Sequence, residues 1–78
     1  MNKERRKTLE DIIERLEGIL SEIEDLQSEE QDAFDNLPEG IQNSERGETI
    51  QENADSIQEA YDNLDGDVIS TLREVLEK

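Results

Sequence analysis

The chain contains no cysteine, no histidine and no tryptophan, and only one proline, one phenylalanine and one tyrosine in 78 residues. Without cysteine there is neither a disulfide nor a thiol nucleophile, which is in keeping with a reducing cytoplasm. Without histidine the commonest general base and the usual zinc ligand are both missing. Long apolar runs are lacking as well. "MNKERRK" at the start is basic, but an interrupted helical pattern follows it instead of a continuous apolar segment, so no secretion signal and no membrane span are read. Positive charge is scarce: 8 Lys and Arg stand against 23 Asp and Glu, for a formal net charge of -15. Nucleic-acid affinity comes largely from cations neutralising phosphates, so this chain is repelled by DNA and RNA. Anionic lipid surfaces are disfavoured for the same reason. The natural counterpart is a basic protein surface.

Hydrophobic residues make up 31% of the chain, which by composition alone borders on disorder. Regular spacing argues the other way. Leu9, Leu16 and Ile23 share one heptad position, Ile12, Ile19, Leu26 and Ala33 the next, and Ile13, Leu20 and Phe34 fall beside them. A stripe of period near 3.5 predicts a long amphipathic helix. Thr8, followed by Glu10 and Asp11, has the form of an N-cap with acidic residues in the first turn. The helix therefore starts at residue 8, or earlier with a frayed basic tail. A second periodic run comprises Ile50, Ala54, Ile57, Tyr61, Leu64, Val68, Leu72 and Val75. Its phase passes through Gly66, read as a glycine tolerated within one helix. A short turn there, with Asp67 capping a final helix, is the alternative.

Between the runs lies "DNLPEGIQNSERGE", residues 35–48. Pro38 disfavours helical geometry at Leu37, so the first helix stops near Asn36. Gly40 and Gly47 supply flexibility, and Leu37 and Ile41 are apolar enough to fold back over the end. Ser44 is one candidate cap for the second helix, and Thr49 with Glu52 is a capping-box alternative. The expected fold is all-α: an antiparallel two-helix hairpin forming a single domain 1–78. Helix one covers about 8–35, the elbow about 36–47 and helix two about 48–77. One neighbour per helix cannot cover a stripe three positions wide, so two hairpins are expected to pair as a four-helix-bundle homodimer. Docking of the hairpin on a different protein is the other option.

Charge is distributed unevenly. Residues 16–72 hold seventeen acidic residues and one basic residue, Arg46, while Lys3, Arg5, Arg6, Lys7 and Arg15 cluster near one terminus and Arg73 and Lys78 near the other. In a hairpin these ends meet, with Glu74 and Glu77 expected to face the basic cluster, leaving a nearly neutral base and an acidic shaft. Glu48, Glu52, Asp55, Glu59 and Asp62 recur at the apolar period on the opposite face of helix two. At about 1.5 Å rise per residue they follow one another roughly every 5 Å. Glu22, Asp25, Glu29 and Asp32 form a second set on helix one. Like charges four residues apart oppose helix formation, and a face kept only for solubility would usually mix signs. These nine residues are the candidate partner-binding site. A merely solvated face is the bland alternative.

No catalytic constellation is visible. "DNLDGD" fails as a calcium-binding EF-hand: with Gly66 at the invariant glycine, Tyr61 would take the first ligand place and Leu72 the last. Asp62, Asp65 and Asp67 offer only loose cation binding. There is no phosphate-cradling glycine loop and no nucleophile beside a base. Ser44 and Arg46 read as a cap and a surface ion-pair partner, and Tyr61 as a packed ring with its hydroxyl at the edge. No enzyme, cofactor or metal is expected.

The acidic helix, the segment "FDNLPEGIQNSERGE" and the second acidic helix together resemble small acidic helical proteins of unknown activity from phages and mobile elements of Gram-positive bacteria. Residues 34–48 carry the distinctive part of the resemblance. It implies a phage-encoded accessory protein acting inside a bacterial cell, but it transfers no functional residue. The functional expectation is a non-enzymatic nucleic-acid mimic that occupies a basic host protein, such as a defence nuclease. Its rival is an oligomerisation or assembly module that works through its apolar faces.

Overall fold

The computed structural model describes residues 1–78 and is helical throughout, apart from short links at 36–38 and 43–44 and the chain ends. Helix α1 runs Lys3–Asp35. It begins five residues before Thr8 because Asn2 caps it, its side-chain oxygen accepting from the Arg5 amide at 2.8 Å. The basic tail is thus part of the helix. Thr8 lies inside it and donates to the Glu4 carbonyl, a local bond that adds no cap.

The helix stops where the proline requires. Asn36 is the C-cap, and a four-residue helix α2, Glu39–Gln42, follows Pro38. Gln42 turns back and donates to the Phe34 carbonyl at 3.1 Å, which also accepts from the Leu37 amide at 3.0 Å, so the end of α1 is tied to the segment that follows it. Helix α3, Glu45–Asn63, starts at the Ser44 cap, whose hydroxyl oxygen accepts from the Gly47 amide. Thr49 is therefore inside the helix and not its cap. Gly47 does not act as a flexible joint. It is buried, and a Cβ placed on it would lie 2.3 Å from the Gln42 carbonyl oxygen and 2.5 Å from that of Ile41. Glycine is required here so that α3 can leave α2 at close quarters. Leu37 is half-buried over this end, whereas Ile41 stays exposed.

Beyond α3 the chain remains helical through Gly66 but widens. Residues Leu64–Ile69 form a π turn, and α4, Ser70–Glu77, completes the chain. A π turn inserts one residue into the helical phase. Ile69, 1% exposed, therefore takes the inward position that regular spacing assigns to Val68, which is left 47% exposed. That corrects the expected run at one position and rotates everything after it.

The returning helices lie along α1. Leu9, Ile13, Leu20 and Ile69 form the core, with Leu16, Tyr61, Leu64, Leu72, Val75 and Leu76 packed around it. Contacts pair early residues of α1 with late residues of the chain: Arg6 with Leu76, Glu17 with Arg73, Gln31 with Gln51. Ala54 is fully buried against α1, its small side chain allowing close approach. The molecule is a rod of 59 × 16 × 13 Å with a radius of gyration of 17.4 Å, against about 11.5 Å for a compact domain of this length. Only six residues are buried.

The glycines yield four predictions. Gly18 is exposed with nothing within 4 Å of an added Cβ, so Gly18→Ala should stabilise by up to ~1 kcal/mol. Gly47→Ala should destabilise by ~1–3 kcal/mol through overpacking. Thermal unfolding followed by circular dichroism checks both signs, at roughly 4–8 °C per kcal/mol for a domain of this size. Deleting Gly66 should restore a plain α-helix with Ile69 still inward and leave the melting temperature within a few degrees. Deleting Gly18, by contrast, should throw Leu20 out of phase and abolish the cooperative transition.

Candidate functional site

Each of the nine candidate residues is solvent-exposed: Glu48, Glu52, Asp55, Glu59 and Asp62 along α3, and Glu22, Asp25, Glu29 and Asp32 along α1. Their exposure follows from helix phase. They recur at three- and four-residue steps on the sides of α3 and α1 that turn away from the packed residues. Two of them are held by neighbours one turn earlier. Gln51 donates to Asp55 at 3.0 Å and Gln58 donates to Asp62 at 3.1 Å. Gln51 also exchanges amide hydrogen bonds with Gln31 of α1, at 3.1 and 3.2 Å, so the carboxylate of Asp55 is tied through one glutamine to the other helix. These glutamines carry no charge or hydrophobic signal, and the sequence pattern alone passes over them.

No cation neutralises the two rows. The single ion pair of the molecule joins Arg73 to Glu17, outside the nine. Arg46, expected to pair on the surface, makes no ion pair, and neither Glu74 nor Glu77 meets the basic N-terminal cluster. That cluster instead serves the backbone: Arg6 donates to the Leu76 carbonyl at 2.7 Å, a cation placed on the negative end of the helix dipole.

Tyr61, partly buried, packs against the core. Its phenol is raised above the ordinary tyrosine range, first by partial burial and then by the negative charges of Glu24, Asp65 and Asp62. No three metal-ligating side chains come together at Asp62, Asp65 and Asp67 or elsewhere. The surface has two open depressions, one bounded by Asp11, Glu14 and Arg15 and the other by Lys3, Arg6, Lys7 and Glu10. Neither has an apolar wall. No helix is long and apolar enough to cross a membrane. No family model matches the chain, and no curated protein and no solved structure matches it either.

The raised phenol fixes a sign. The folded state holds the Tyr61 proton more tightly than the unfolded state, so this contribution to stability is complete below pH ~10, the unfolded value, and is lost as pH rises through the folded value. Spectrophotometric titration should give a tyrosinate midpoint above that of the same chain in urea. Coincident midpoints would refute it.

Proposed function

We propose that the chain is an acidic accessory protein of phage type that binds a basic surface of a bacterial host protein and blocks nucleic acid from it. In this reading it is an antiparallel hairpin, paired with a second copy, that acts inside the cell and catalyses nothing. The observation that carries the proposal is the uncompensated shaft: seventeen acidic residues between 16 and 72, with Arg46 the only cation among them. Folded back on itself, that segment spans roughly 30–40 Å, which places about one carboxylate every 2 Å of axis, close to the one charge per ~1.7 Å of duplex DNA. A basic groove shaped for phosphates meets a similar line of charge on this rod. The glutamine-held Asp55 and Asp62 favour α3 as the principal face, because their positions are set before binding. The resemblance of residues 34–48 to phage-borne acidic proteins supplies the cellular setting.

A second reading, an assembly module, draws on a different observation. Ile19, Leu26 and Val68 are 46%, 52% and 47% exposed on a molecule with few apolar residues. Such a module would bind through apolar area, which salt does not screen.

Capture from bacterial lysate on the immobilised chain tests the proposal. Partner capture should fall steeply from low to moderate salt and be competed by duplex DNA. The triple variant Glu52→Lys, Asp55→Lys, Glu59→Lys should weaken it at least tenfold. Capture that neither salt nor charge reversal changes would overturn the mimic and leave the assembly module standing.

A further inference from the structure

We propose that one long face of the rod, built on Ile12, Ile19, Leu26 and Val68, is the face on which a second copy of this chain docks. The inference rests on the paired reading above and adds which surface is covered. Gln31 meets Gln51 and Glu17 meets Arg73, which defines one edge of the rod. The heptad position of Ile12, Ile19 and Leu26 lies on the other edge of α1. On α3, Asn53 and Ala60 each follow an edge glutamine by two residues, about 200° round the helix, and Ser56 lies beside them. On the returning end, Arg73 reaches Glu17 to one side of buried Ile69, and Val68 projects to the other.

The resulting face holds three exposed large aliphatic side chains and small or amide residues, with no charge from Ile12 to Ala33 in one column or from Asn53 to Ala60 in the other, in a chain that is 40% charged; Arg5 and Arg46 stand only at the ends of the two columns. A partner selected by its positive charge would have nothing to grip at the centre of this face. A second copy, by contrast, must avoid presenting acid to acid, and this is where the molecule presents none. Area points the same way. The chain exposes 5768 Å², about 900 Å² more than the ~4,850 Å² of a compact monomer of its mass. That excess is close to the ~800 Å² each partner gives to a standard interface. Covering this face leaves the row from Glu48 to Asp62 outward on both copies, while the rims, including Glu22 and Glu29, bring like charges near each other.

Sedimentation equilibrium of the full chain at low and moderate salt is the test. The expected mass is twice 9.0 kDa, falling to the single-chain value in Leu26→Lys with helicity retained, and unchanged in Glu59→Lys on the outer row. Ser56→Lys, outside the core, gives the same readout should Leu26→Lys lose helicity. Added salt should tighten pairing severalfold by screening the rims. A dimer that survives both face variants overturns the face but keeps the pairing. A single-chain mass throughout overturns both, and pairing that salt weakens overturns the like-charged arrangement.

Discussion

The structure depends on one narrow apolar seam, in which Leu9, Ile13 and Leu20 of α1 close over Ile69 from the returning chain. Burial of apolar area is the dominant favourable contribution to folding, and here few side chains supply it. Every other feature is arranged to keep that seam in register. The Ser44 cap and the bare backbone of Gly47 set the angle at which α3 departs, the Gln31–Gln51 exchange holds the acidic end where apolar side chains are sparse, and the π turn delivers Ile69 to its place.

A thin core and a heavily acidic exterior pull in opposite directions. Self-repulsion of fixed charge disfavours compact states, yet the carboxylates are spread along the rod and kept off the seam, so few are forced against one another at its centre. The same separation divides the exterior into unlike sides: two rows of acid, an edge of glutamines and one ion pair, and a side whose middle carries no charge. The depressions on so slender a molecule are open to solvent, and the exposed rows run along its length.

Much of the fold was legible in the order of residues. The 3.5-residue period identified both long helical stretches, Pro38 marked where the first ends, and Ser44 was one of two caps considered for the second. The remainder was hidden for specific physical reasons. Val68 and Ile69 are adjacent and both aliphatic, so spacings of four and five from Leu64 land equally well on an apolar residue, and only the packed partner decides between them. Gly47 looked flexible because residue type reveals conformational freedom locally, whereas a clash with the Gln42 carbonyl exists only once α2 and α3 are placed. Asn2 carries no distinguishing mark, because a cap needs only a single polar atom and the basic residues after it have the composition of a loose tail. For the candidate site, exposure of the nine carboxylates could be read from phase, but the glutamine contacts behind Asp55 and Asp62 could not, since amides leave no mark in charge or hydropathy.

The bond from Arg6 to the carbonyl of Leu76 fastens the two ends of the chain at a single pole. The turn containing Pro38 then becomes a free tip at the far end of a body 59 Å long. Both ends of the chain therefore lie at the pole opposite the Pro38 turn, and an attachment at either end would leave that turn uncovered.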